Sequence, residues 1–270
     1  MRKYMLGKDS LHSLWVHRGF ILGNVKRNYQ SRYRRSMLGA AWTVIQPLSM
    51  IIIYTLVFSQ IMQARLPGVE GGMAYSIFLC SGIFVWNFFS EIANRCQNVF
   101  LDNAEVIKKI SFPRLCLVVV IIIDALINLA IFMLLFFSFL VLTGNFPGAA
   151  VFSFIPVVVV LLFFVVGLGI LVGVLNVFFR DVGQLFQVGL QFWFWLTPIV
   201  YPIHIIPEHY RFIFSLNPMT TIVTSSQQIF VYGKSPDFVG LAYVGALSLV
   251  LCMLALRLYR RRCDEMVEEL

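Results

Sequence analysis

With 270 residues, of which 59% are apolar and only 13% charged, and a mean hydropathy of +0.83, the chain carries more oil than one globular core buries in water; composition excludes a water-soluble domain and makes a bilayer the solvent. Its 21 Lys and Arg outnumber 13 Asp and Glu and leave +8, a surplus that reads as membrane topology and attraction to anionic headgroups rather than nucleic-acid binding. Cys80, Cys96, Cys116, Cys252 and Cys263 form no CxxC pair, and His12, His17, His204 and His209 fall in no ligand spacing, so neither a disulfide framework nor a metal centre is expected.

The chain opens on residues 10–36, where Leu11, Leu14, Trp15, Arg18, Ile21, Leu22, Val25 and Tyr29 recur at helical spacing beside Lys26, Arg27, Arg32, Arg34 and Arg35. The pattern predicts a helix lying along the cytoplasmic headgroups; a solvated basic tail would not need Trp15 and Leu at regular intervals. No charged-then-apolar-then-small pattern precedes it, so the first span itself is expected to direct insertion.

A span must cover roughly 30 Å of hydrocarbon at about 1.5 Å per residue. Six stretches do so, at 38–62, 73–93, 115–142, 151–179, 182–201 and 238–256. They are read as helices despite their Val, Ile and Phe content, because a helix satisfies its own backbone hydrogen bonds and lipid cannot. The expected fold class is an all-α integral membrane protein of six transmembrane helices.

Within the first span Gln46 and Pro47 interrupt the apolar run and predict a kink. After the second span, residues 102–110 form a short amphipathic segment: Asp102 or Asn103 can cap its first turn, Glu105 favours its start, and Lys108 and Lys109 favour its end. Val106, Ile107 and Ile110 give it an apolar edge able to dock on a partner, a solvated connector being the plainer alternative. In the third span Asp124 is the one carboxylate deep in an apolar run, with Asn128 one turn later on the same face. A charge there needs a cavity or a polar partner. A structural hydrogen bond and a role in substrate passage or gating both meet that need. The fourth span presents Gly167, Gly169 and Gly173 as a small-residue face for a close helix contact, within or between subunits.

Phe192, Trp193, Phe194, Trp195 and Tyr201 crowd the fifth span, and Phe84, Trp86, Phe88 and Phe89 the second. These rings reach beyond the interfacial belts into mid-span. Trp86, Phe89, Phe192, Trp193, Trp195 and Tyr201, with Asp124, are therefore candidates to line a pathway that supports sugar faces; lipid-facing and core packing is the alternative. Residues 203–232 are too hydrophobic for a simple loop, yet Asn217 and Pro218 break them in the middle. They are expected to form a re-entrant hairpin of two short helices in the outer leaflet.

Lys and Arg number nine in 1–37, four in 94–114, one at Arg180 and four from Arg257 onward, so 18 of 21 fall on one side. Both termini are thereby placed in the cytoplasm, with Arg65, Arg211 and Lys234 outside. Gly233, Lys234 and Ser235 look like the end of a phosphate-binding loop, but the pattern's first glycine would fall on Gln228, on the outer side. No convergent acid, base or metal cluster suggests catalysis.

The run Tyr33 to Trp42 followed by Gln46 and Pro47 resembles the entry to the first span of ABC-2 type permeases that export polysaccharides. Also similar are Lys108 to Arg114, Asn176 to Asp181, Thr197, Pro198 and Tyr201, and Asn217, Pro218 and Met219, in that order along nearly the whole chain. The resemblance is to exporters of O-antigen, capsule and teichoic acid, above all the Wzm-type subunit. It implies a homodimer in the bacterial inner membrane, assembled with two copies of a separate ABC ATPase that binds ATP and Mg, moving a lipid-linked glycan, most often O-antigen in lipopolysaccharide biosynthesis. It further implies that the coupling helix is 102–110, with Asp102, Glu105, Ile107, Lys108 and Lys109 facing the ATPase and Arg180 and Asp181 as a second contact. The interface helix falls on 10–36, and the outer gate on 203–232 around Asn217, Pro218 and Met219. The chain itself is then no enzyme and holds no cofactor. An ABC-2 permease for a small hydrophobic drug or lipid, and an integral membrane transferase using Asp124 or His204, are the competing readings.

Overall fold

The computed structural model describes residues 15–33, 38–61, 66, 72–109 and 112–270, and among these there is no strand. The helices in chain order are α1 (Arg18–Tyr33), α2 (Trp42–Tyr54), α3 (Ala74–Asp102), α4 (Ala104–Lys109), α5 (Leu115–Leu142), α6 (Phe154–Phe178), α7 (Asp181–Trp195), α8 (Glu208–Leu216), α9 (Pro218–Tyr232), α10 (Phe238–Arg262) and α11 (Glu265–Glu269). Leu11, Leu14, His12, Arg34, Arg35, Arg65 and Ile110, each named in the expectations above, and Met62, the last residue of the first expected span, lie outside the described residues.

Among the described residues, five helical stretches are long and apolar enough to cross a membrane: Trp42–Ser59, Ala74–Asp102, Leu115–Leu142, Gly148–Phe178 and Phe238–Arg262. The first continues past Pro47 and from Thr55 to Ile61 widens into a π-helical turn. The stretch expected to be a helix over 182–201 is helical for 15 residues and stops at Trp195. Thr197 precedes Pro198, whose ring disfavours the α conformation in the residue before it and which has no N–H for the next helical bond.

Helix α3 is the axis of the bundle. It is 29 residues long, most of it is buried, and α6, α9, α5, α2 and α7 all pack on it. Glycines set how closely α6 approaches. A Cβ on Gly173 would stand 2.6 Å from the Cys96 carbonyl oxygen, and one on Gly169 2.6 Å from Cys96 Cβ, so both glycines face α3. A Cβ on Gly167 would stand 2.8 Å from the Cys252 nitrogen, on α10. The small-residue face therefore works inside one subunit, joining α6 to two neighbours at backbone contact distance. Helix α10 also touches α9 but buries few residues (Leu241, Val244, Ser248 and Ala255), and α2 buries Ile51.

Helix α1 packs on the start of α5, where Ile21 and Val25 meet Cys116 and Val120 and the rings of Phe20 and Phe112 stand 4.9 Å apart. Trp15, just before it, and Leu22 on it are exposed.

Candidate functional site

Where α1, α3 and α5 meet, six polar side chains join in one cluster. Arg95 lies about 10 Å before the end of α3, and Asp124 about 14 Å beyond the start of α5, at the rise of an α-helix. Arg95 Nη2 stands 2.6 Å from Asp124 Oδ2, and Arg95 Nη1 3.4 Å from Glu91 Oε1. Asn128 Nδ2 donates to Glu91 Oε1 at 2.8 Å. From α1, Asn28 Nδ2 donates to Asp124 Oδ2 at 3.0 Å and Tyr29 Oη to Asn128 Oδ1 at 3.0 Å. Asp124, 4% exposed, keeps its Oδ1 without a partner among the described residues. Its charge is met by the guanidinium, as a carboxylate out of water requires.

The partner of Asp124 is thus Arg95 rather than Asn128, which instead joins Glu91 to Tyr29. Sequence reasoning had grouped Arg95 with the cations of a connector. The overlooked signal is spacing: Glu91 with Arg95 and Asp124 with Asn128 are two polar pairs at i,i+4 on adjacent apolar helices, and each face is satisfied by the other.

The aromatic candidates divide. Trp86 and Phe89 are buried in a ring cluster: Trp86 is 5.4 Å from Phe89 and 5.5 Å from Phe194, and Phe89 is 5.3 Å from Trp193 and 6.0 Å from Phe164. These rings pack against one another between α3, α6 and α7. Phe192 and Trp195, 67% and 63% exposed, share the outward face of α7 with Leu185 and Val188. Tyr201 Oη donates to the Trp195 carbonyl at 2.6 Å.

Beyond Trp195 the chain runs without regular helix, and its carbonyls are met by side chains. Asn217 Nδ2 donates to Leu196 O and Thr197 Oγ1, both at 3.1 Å, and Gln227 Nε2 to Pro198 O at 3.1 Å. Tyr75 Oη donates to Val200 O at 2.7 Å. Such donors are what allow irregular backbone away from water. Asn217 also accepts from Trp193 Nε1 at 2.8 Å and from the Met219 amide at 3.0 Å, capping α9 with Pro218 in the first turn.

These bonds trace the path. Val200 reaches Tyr75, beside the first residue of α3, and Asn217 returns to the level of Trp193, which touches Phe89, fourteen residues beyond Tyr75 along α3. From there α9 climbs back along α3, where Ser226 Oγ donates to Ser81 O at 3.1 Å and Phe230 meets Phe84 at 5.8 Å. Gly233 ends α9 at φ +62°, with its amide on Ile229 O and that of Lys234 on Gln228 O. The triplet that looked like a phosphate loop is a left-handed helix cap. Met219 is buried, whereas α8 buries no residue and leaves Phe212, Ile213 and Leu216 exposed.

At the opposite end of α3, Asn103 Nδ2 turns back to Val99 O at 2.8 Å, and α4 follows with Lys109 Nζ 3.0 Å from Glu105 Oε2. Asp102, Glu105, Lys108 and Lys109 are exposed. Ile107 corrects an expectation: it is 7% exposed and packs into the bundle, so it offers no edge to a partner. Arg180 and Asp181 are exposed in the turn between α6 and α7. Asn176 fixes that turn: its Oδ1 accepts from the Gly183 amide at 2.9 Å, and its Nδ2 donates to Gln97 O at 3.0 Å and Asn98 Oδ1 at 3.1 Å. Asn176, named in the sequence analysis only as the start of the motif that ends at Asp181, is thereby a functional candidate.

The sequence model of the ABC-2 type transporter family matches residues 21–231. An O-antigen export system permease protein, RfbA, of Myxococcus xanthus is 28% identical over 262 residues, covering 96% of this chain and 98% of the relative. An RfbA of Klebsiella pneumoniae is 27% identical over 232 residues, covering 85% and 87%. The polysialic acid transport protein KpsM of Escherichia coli is 24% identical over 246 residues, covering 89% and 92%.

Proposed function

The chain belongs to the ABC-2 type transporter family, and from that premise we propose that it is the membrane permease of a polysaccharide export system, moving a lipid-linked glycan, O-antigen first among them, across the bacterial inner membrane. The observation that carries this is the similarity to an O-antigen export permease along 96% of the chain. Energy comes from a separate ATPase subunit, which binds ATP and Mg, because the sequence holds no nucleotide-binding motif; the chain is not an enzyme.

In this reading the permease works as a homodimer with two ATPase copies. Helix α7 and the irregular segment after it make the sixth crossing, both termini are cytoplasmic, and α8 and α9 form the outer re-entrant hairpin. The loop of the chain down to Asn217 and back along α3 supports that hairpin. Helix α1 lies at the cytoplasmic interface, held by the Asp124 cluster. The glycan pathway falls on the outward face of α7, with Phe192 and Trp195 offered to sugar rings and Trp86, Phe89 and Trp193 as packing behind them. Flat apolar sugar faces stack on rings without fixed ion sites.

Exposed Lys108, Lys109, Arg180 and Asp181 are the contacts to the ATPase. ATP-driven closure pushes on them, and helices joined at backbone distance transmit the shift to the Asn217 elbow. Deleting the gene should remove the surface glycan and trap its lipid-linked form inside the cell. Complementation with Lys108→Glu/Lys109→Glu should restore the protein in the membrane without restoring display. Surface glycan that persists in the deletion strain overturns the reading.

A further inference from the structure

We propose that Met266, on α11, is a positioning residue for the coupling helix α4: the two short helices brace each other, and α4 holds its pose toward the ATPase only while that contact stands. This rests on the reading of α4 as the coupling helix.

Helix α4 has six residues and buries one side chain, Ile107; helix α11 has five and buries one, Met266, at 0% exposure. The two helices are in contact, and both side chains belong to the main core cluster. Neither helix is long enough to be stable by itself, since isolated helices shorter than about 12 residues are marginal in water. Each therefore depends on tertiary packing.

The approach to α11 is fixed independently. Arg114, just before α5, donates to the carbonyl oxygen and sulfur of Cys263, and Arg262 pairs with Glu265 across the turn. Tyr259 stacks on Phe100 at 6.0 Å, tying the end of α10 to the end of α3 from which α4 departs. Helix α11 also packs on α6, so it bridges α4 to the helix whose far turn carries Arg180 and Asp181. A brace that touches α4 and the helix leading into the turn of Arg180 and Asp181 keeps the two predicted ATPase contacts in one rigid frame.

The experiment uses the full chain co-expressed with its cognate ATPase. It reads three quantities: permease in the membrane, ATPase retained on it through purification, and Mg-ATP hydrolysis and surface glycan per retained complex. Met266→Leu should keep hydrolysis and display within twofold of the parent. Met266→Ala should leave membrane level unchanged and lower hydrolysis and display per complex at least fivefold, and Ile107→Ala should do the same. The double variant should lose no more than either single one, because both act through one contact. The inference is overturned if Met266→Ala leaves both outputs at the parent level while Ile107→Ala or Lys108→Glu/Lys109→Glu abolishes them. It is equally overturned if Met266→Ala acts only by lowering membrane level. If all of these variants are silent, the coupling role of α4 itself fails.

Discussion

Arg95 Nη2 lies 2.6 Å from Asp124 Oδ2, the ion pair that joins two of the long apolar helices among the described residues, and the same carboxylate oxygen accepts from Asn28 on α1. One guanidinium therefore serves Asp124 on α5 and Glu91 on α3, and a third helix is held to the pair by Asn28 and Tyr29. Removing one member of such a pair strands the other, so the losses do not add. Arg95→Ala leaves Asp124 buried without its counter-charge, a loss of about 3–5 kcal/mol for a broken buried pair. Arg95→Ala/Asp124→Ala should cost less than the sum of the single changes. Thermal unfolding of the purified protein in detergent checks this; additive losses would show that the two groups act separately.

Gly173 and Gly189 give opposite expectations for one change. At Gly173 a Cβ meets the Cys96 carbonyl oxygen at 2.6 Å, backbone that cannot move aside, whereas nothing stands within 4 Å of a Cβ on Gly189. Gly173→Ala should separate α6 from α3 at a cost of about 1–3 kcal/mol. Gly189→Ala should leave stability level or raise it by up to about 1 kcal/mol, since an exposed helical glycine gains from a Cβ. Melting temperatures of the two variants decide the comparison.

Asn217 carries donors and acceptors for four groups at the elbow, and no other residue type supplies both in that geometry. Asn217→Ala leaves the part-buried Trp193 indole N–H unmet, at about 1–3 kcal/mol for an unsatisfied buried group, and frees the exposed Leu196 carbonyl at little cost. Asn217→Asp keeps the cap and the indole partner and loses only the donor, so it should fall between the parent and the alanine variant. The ordering of their melting temperatures is the measurement, and a reversed order would remove Asn217 from the role of anchor.

Exposed and buried rings should separate in assay. Phe89→Ala empties a fully buried site and should cost about 3–5 kcal/mol. Phe192→Ala and Trp195→Ala touch the outward face of α7 and should change stability by no more than about 0.5 kcal/mol, while lowering export if sugars pass there. Membrane-level protein and surface glycan, read side by side, distinguish the two. Normal display with both exposed rings removed would take the pathway off that face.

How much of this was legible beforehand differs by element. The long apolar runs, the break at Asn217 and Pro218, and the turn at Arg180 were readable because each is a local property: length against lipid thickness, a proline, a charge between two spans. That Ile107 faces inward was not readable, since one apolar face on a six-residue helix suits a partner and a core alike. Nor could spacing alone tell Trp86 from Trp195, or assign Gly173 to a contact within the subunit, because periodicity names a face without naming its neighbour.

The sequence by itself determined that this protein lives in a bilayer, which stretches can cross it, and to which family it belongs. Those facts follow from hydropathy summed along the chain and from the order of its motifs. Only the tertiary structure decided that Arg95 answers Asp124, that Asn217 holds the elbow closed, and that α11 stands behind α4. Each depends on which helix lies beside which, and that is settled by close packing and by the pairing of polar groups that lipid leaves without water.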